Sequence, residues 1–241
     1  MKVIALLSGG MDSGVATALA IKVFGKIDYS IAIDYGQSHK AEIETSRQLA
    51  LHYKIPWRML HIPIPKGGLA MAHPKDIVRE APTNRISPTY VPQRNLLLIS
   101  IAASYLEYLL TKEDEEGIIV IGVHRTDWSP HHPIYPDCSY SFISALQTAI
   151  NIGSRFVYEG NGIIKIFAPF VNKTKADIVQ TGMELHFPFD KTVTCYRGNP
   201  PCINCPSCRA RYEAFKEAGY KDPLLTKYHL WDKAEEKWGS K

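Results

Sequence analysis

Long apolar runs are missing from this chain of 241 residues, and none approaches the roughly 20 residues that cross a bilayer. Charge of one sign is lacking too. Lys and Arg number 28 against 24 Asp and Glu, and a net charge of +4 suits small anions but is too weak by itself to argue for nucleic acid. Cysteine is scarce outside one place: four of the five fall between residues 195 and 208, which speaks for a metal and against disulfides. No segment repeats, none is of low complexity, and no linker splits the chain. The first strand begins at Val3, so we expect no signal or transit peptide and a cytoplasmic protein. A hydrophobic content of 45% and a charged content of 22% are those of an ordinary globule, long enough for one large α/β domain with a small appendage.

What is present is organised around residues 3–14. Val3-Ile4-Ala5-Leu6-Leu7 reads as a strand buried on both faces, Ser8 to Ser13 as a tight turn, and Val15 to Ala20 as a helix. Strand, glycine turn and helix together make an anion site. Gly9 and Gly10 let backbone N–H groups approach an oxyanion, Ser8 and Ser13 add donors, and the helix start adds partial positive charge. Two common phosphate motifs are excluded. No Lys stands between Lys2 and Lys22, as a Walker loop requires, and Gly9, Gly10 and Gly14 miss the dinucleotide spacing.

Strands predicted at 29–35, 57–62, 118–123 and 163–167 alternate with helices at about 40–53, 96–110, 140–151 and 174–183. That alternation predicts a doubly wound, mainly parallel five-stranded sheet, with ligands bound outside the carboxyl ends of its strands. Ser8–Ser13 and Asp34–His39 sit at such ends, and Asp127 follows another. From Pro63 to Pro92 no periodic element is evident, and the stretch is either a lid or a tolerated insertion. The nearly all-apolar first half of the 96–110 helix predicts deep burial.

Cys195, Cys202, Cys205 and Cys208 are spaced Cys-x6-Cys-x2-Cys-x2-Cys. Four thiolates complete a closed tetrahedral site, so zinc in a structural role is preferred, although x2 spacings also suit an iron–sulfur cluster. The organisation expected is a nucleotide-binding α/β domain over 1–190 and a metal-binding region over 191–241, with a helix at about 207–218 pinned to it. Cys138 reads as a small buried hydrophobe, and His131 and His132 as a surface loop. The tail, with Trp231 and Trp238, reads as a surface for a second subunit, giving a homodimer.

The Ser8-Gly9-Gly10-Met11-Asp12-Ser13 loop resembles that of the PP-loop ATP pyrophosphatases, enzymes with an adenine nucleotide α-hydrolase-like fold that activate carboxylates by adenylation. The likeness extends along residues 1–223 and becomes specific. It takes in Asp34-Tyr35-Gly36-Gln37 with His39, Val91-Pro92-Gln93-Arg94-Asn95, Tyr135-Pro136-Asp137-Cys138, Asn172-Lys173-Thr174-Lys175-Ala176, and Thr194-Cys195-Tyr196 running into Arg209. In this order they resemble the 7-cyano-7-deazaguanine synthases of queuosine and archaeosine biosynthesis. Two departures are Ser38, where that family commonly has Arg, and Gln93, where a small residue is usual.

The resemblance implies that ATP and Mg2+ convert 7-carboxy-7-deazaguanine and ammonia to the nitrile. It implies ATP binding by Leu7, Ser8, Gly9, Gly10, Met11, Asp12, Ser13, Gly14, Val15, Ala16 and Thr17. Asp12, Ser13, Arg94 and Lys175 would be catalytic, and Tyr35, Gln37, Arg94, Asp127 and Asp137 would contact substrate. One Zn2+ would sit on the four cysteines. Two alternatives stand beside it: another PP-loop adenylating enzyme such as a tRNA thiolase, and a zinc-knuckle nucleic-acid-binding protein without turnover.

Overall fold

A computed structural model describes residues 1–36, 40–63, 85–129 and 131–239. Five strands, β1 (Lys2–Leu6), β2 (Tyr29–Asp34), β3 (Trp57–His61), β4 (Glu116–Val120) and β5 (Ile163–Phe167), form one sheet in the order β3-β2-β1-β4-β5. Every neighbouring pair is parallel. Parallel strands need crossovers, and the helices that supply them cover both faces.

The alternation of side chains along the central strands decides which face each core residue serves. Val3 and Ala5 of β1 and Leu7 just after it, with Ile118 and Val120 of β4, join a core formed with α1 (Met11–Phe24), α6 (Lys175–Glu184) and α7 (Pro206–Glu217). Ile4 and Leu6, with Ile119 and Ile121, face α3 (Arg94–Leu109) and α4 (Tyr140–Gly153). β1 lies between β2 and β4 and has apolar residues on both faces, as a buried central strand requires. The crossover sense reverses between β1 and β4, which opens a crevice at their carboxyl ends.

Several boundaries differ from expectation. α1 starts at Met11 rather than beyond Ser13, so Asp12 and Ser13 lie in its first turn. α3 starts at Arg94, and its buried positions are Asn95, Ile99, Ala102, Ala103 and Leu106; Leu97 is exposed. The apolar run of α3 therefore does not all go inside, because helical period turns every third or fourth residue toward the sheet. β4 ends at Val120; Ile121 N still donates to the Phe167 carbonyl at 3.1 Å, and buried Ile121 and Val123 continue toward the crevice. α2 (Lys40–His52) packs beside β2 and β3, while the short α5 (Arg155–Tyr158) was not foreseen.

The residues after 191 share the first core through Tyr212, Phe215, Leu225 and Trp231. Arg211 is wholly buried and saturates its guanidinium. It donates to both Asp222 carboxylate oxygens at 2.7 and 2.8 Å, to Thr192 and Thr194 hydroxyls at 2.6 and 3.0 Å, and to the Phe189 carbonyl at 3.1 Å. A buried charge persists only when paired and fully hydrogen-bonded in this way. The tail runs through α8 (Pro223–Lys227) and α9 (Trp231–Trp238). Its two indoles pack on Tyr212 of the same chain in tilted pairs, with centroids at 5.2 and 5.6 Å. Trp231 and Trp238 thus pack on Tyr212 of their own chain.

Candidate active site

The turn after β1 is shaped by its surroundings. Gly9 has φ +85°, and a Cβ there would overlap the Glu42 carbonyl oxygen, so only glycine fits. Its carbonyl accepts from Val193 N at 3.1 Å, and the Leu7 carbonyl accepts from the buried Ser46 hydroxyl at 2.7 Å. The Ser8 and Ser13 hydroxyls lie 2.9 Å apart, and Ser8 N donates to Ser13 Oγ at 3.1 Å. Gly10 caps α1 without a side-chain hydrogen bond, so the free N–H groups of the first turn remain open to an anion.

On the β4 side, Gly122 lets the next strand close on this turn; a Cβ there would lie 2.5 Å from Ser13 N. His124 follows at the strand's end and is buried, its Nε2 3.4 Å from Asp127 Oδ2 and 3.8 Å from Asp12 Oδ2. Lys175 Nζ donates to Asp12 Oδ2 at 3.0 Å. Thr174 and Asp177 form a capping box that fixes the start of α6 and so the origin of the Lys175 side chain. Burial would raise the Asp12 pKa, but Lys175 and then His124 outweigh it and hold the carboxyl below its usual range. Burial would lower the Lys175 pKa, but the charges of Asp12 and Asp127 raise it.

Opposite lies a second charged group. Arg94, the first residue of α3, hydrogen-bonds Tyr35; burial opposes its charge, yet Tyr35, Cys138 and Asp137 keep it firmly protonated. Burial raises the Tyr35 hydroxyl pKa. Glu42, in the first turn of α2, is recessed beside them, and loss of water pushes its carboxyl up to about 7 against the pull of Arg94. A cleft of about 350 Å³ runs between the two sides, lined among others by Ser8, Asp12, Lys175, His124, Arg94 and Glu42.

The structure therefore brings Leu7, Ser8, Gly10, Met11, Asp12, Ser13, Tyr35, Arg94, Asp127 and Lys175 to one cleft. Val15 and Ala16 belong to the core beneath it, and Thr17 is buried, donating to the Ser13 carbonyl at 2.8 Å. Gly9 and Gly14 act through close packing beside the cleft rather than in its wall. Asp137 lies behind the wall: its Oδ2 accepts from Asn95 N at 2.9 Å at the start of α3, and its carbonyl accepts from Asn95 Nδ2. Gln37 falls outside the described residues, as does 64–84 of the Pro63–Pro92 stretch.

Sequence reading missed Glu42 and His124. His124 carried a usable signal, since a polar residue directly after a buried parallel strand points to a ligand site. Glu42 carried none, because the helical pattern of α2 does not show which polar residue faces the crevice. Cys138 is buried as expected, but it also lines the cleft and accepts from Asn95 Nδ2 at 3.2 Å.

The four cysteines Cys195, Cys202, Cys205 and Cys208 converge, with sulfurs all within 4.8 Å of one another. Sulfurs at roughly 2.3 Å from a tetrahedral zinc would lie a little closer still, so the set fits such an ion. Backbone N–H groups of Arg197 and Cys202 donate to Cys195 Sγ, each at 3.3 Å, as a thiolate needs. Cys195 lies two residues from Val193, whose N–H holds Gly9, so the metal loop and the glycine turn are physically joined.

Comparison with known proteins identifies the family. A family model described as "Queuosine biosynthesis protein QueC" matches residues 2–219. A 7-cyano-7-deazaguanine synthase from Persephonella marina is 38% identical over 230 residues, covering 93% of this chain and 96% of the relative. Another from Clostridium kluyveri is 40% identical over 231 residues, covering 94% and 98%. Among solved structures, NMN synthetase from Francisella tularensis aligns with 98% of this chain and 85% of its own, at 14% identity and a TM-score of 0.45. The chain belongs to the QueC family of queuosine biosynthesis proteins.

Proposed function

We propose that this protein, a member of a carbon–nitrogen ligase family, converts 7-carboxy-7-deazaguanine and ammonia to 7-cyano-7-deazaguanine at the expense of ATP, in the cytoplasm. The observation that carries this reading is the convergence of an anion-binding turn, Lys175 with Asp12, and Arg94 on one cleft. A carboxylate is a poor acyl donor because oxide cannot leave. Transfer of adenylate to it, with release of pyrophosphate, gives a leaving group that ammonia displaces to form the amide. A second activation at the amide oxygen then permits loss of that oxygen and formation of the nitrile.

The residues present suit these demands. Ser8, Ser13, Gly10 and the first turn of α1 would hold the phosphates, and Lys175 would offset their growing charge. Arg94 would engage the substrate carboxylate with its planar fork, oriented by Tyr35. Asp12 Oδ1 is buried with no hydrogen-bond partner among the described residues, which fits a cation there, with Asp127 nearby. Mg2+ held so would neutralise phosphate charge. Zinc on the four cysteines, which leave no open position, would fix the 193–196 segment against the turn.

Mass spectrometry of a mixture of protein, ATP, Mg2+, ammonium and 7-carboxy-7-deazaguanine tests this. Appearance of the nitrile, lost in Asp12→Ala, is expected. Consumption of ATP without the nitrile would leave adenylation standing and refute the substrate.

A further inference from the structure

The cleft holds three carboxylates within reach of a ligand, and two are already engaged. Asp12 is bonded to Lys175, and Asp127 faces His124. Asp137 is closed off behind α3. Glu42 differs from Asp12, Asp127 and Asp137. No hydrogen bond joins it to another described residue, and it lines the cleft, where Arg94 is the charge that acts on it. Ile33, Ile43 and Leu98 line the same cleft and offer it no donors from their side chains. A carboxylate left in this state costs stability unless a ligand supplies hydrogens.

The donors it would take can be argued from charge. ATP phosphates carry acceptors only, and a carboxylate repels them. A 2-aminopyrimidin-4-one ring, by contrast, presents a ring N–H and an exocyclic N–H side by side, a planar pair that matches the two oxygens of one carboxylate. Arg94, adjacent but of opposite charge, suits the acceptor groups of the same molecule. We infer that Glu42 is a specificity-determining residue that accepts both hydrogens from the amino-pyrimidinone edge of the substrate. This assignment rests on the proposed ligase reaction and adds to it the group that distinguishes the ring.

The amine is what Glu42 would read, so the test compares 7-carboxy-7-deazaguanine with its analogue lacking the exocyclic amine. Binding of each to wild type and to Glu42→Gln is measured by titration calorimetry without ATP, and KM for the acid and for ammonium are measured in turnover. Wild type should prefer the aminated ring by about 10- to 100-fold, the range of one well-made bidentate contact. Glu42→Gln should lose most of that preference and raise KM for the acid, with KM for ammonium unchanged. A variant that keeps the wild-type ratio overturns the inference while the ligase reaction stands. A rise in KM for ammonium alone also overturns it and makes Glu42 an ammonium site. Wild type that neither binds nor turns over the acid refutes the proposed reaction, and this assignment with it.

Discussion

Lys175 and Asp12 are 163 residues apart in sequence, and their side chains meet at 3.0 Å at the head of the cleft. Each keeps the other charged where burial alone would discourage it. Since the folded Asp12 pKa is depressed, the stability it contributes is present above its unfolded value of 3.8 and is lost as pH falls through the folded one. Lys175→Met should cost about 1–3 kcal/mol in urea unfolding at neutral pH, less than a sealed pair because both side chains keep some solvent contact. Adding Asp12→Asn should return part of that loss, since no unpaired charge remains. Nitrile formation should fall by at least about 100-fold in each single variant and stay low in the pair. Full recovery of activity in the double variant would show that the pair is structural only.

Glu42 allows a test that needs no substrate. Its carboxyl rises from an ordinary 4.5 to about 7 in the folded chain, so the folded state holds the proton more tightly than the unfolded one. The stability cost of ionising it therefore grows as pH rises from about 4.5 to about 7 and is complete above that. Glu42→Gln should be more stable than wild type by about 1–3 kcal/mol at pH 8 and nearly equal to it at pH 4.5. Equal stabilities at pH 8 would mean that water reaches the carboxylate freely.

Gly122 makes a steric prediction. A methyl group there meets backbone atoms of Asp12 and Ser13 at 2.5 to 2.6 Å, which no rotamer change can relieve. Gly122→Ala should destabilise the fold by about 1–3 kcal/mol and displace the start of α1. ATP affinity, followed by calorimetry, should drop by more than the stability loss explains. Unchanged affinity would separate Gly122 from nucleotide binding.

The cysteines predict a metal stoichiometry. Elemental analysis should find one zinc per chain, and the protein should be colourless; a brown protein rich in iron would replace zinc with a cluster. Cys205→Ser should lose the metal and lower the melting temperature. ATP binding should weaken with it, because Cys195 lies two residues from the Val193 N–H that holds Gly9. Metal-free protein with normal ATP affinity would show that the two loops are independent.

The sequence alone determined the sheet, the glycine turn after β1 and the cysteine cluster. Each rests on local chemistry: buried parallel strands are continuously apolar, a turn at an oxyanion needs glycine, and thiolates on one ion need short spacing. It also named Asp12, Arg94 and Lys175 through their motifs. Only the tertiary structure decided which side chains meet. Hydrophobic period locates the face of a helix that packs, but it says nothing about which polar residue on the remaining face lies over a crevice. Glu42 and His124 come to the cleft because α2 and the end of β4 flank the strand-order switch. Asp137 is drawn away from it to hold Asn95, and Trp231 and Trp238 turn inward onto Tyr212. These placements follow from contacts between segments far apart in the chain, which no local pattern encodes.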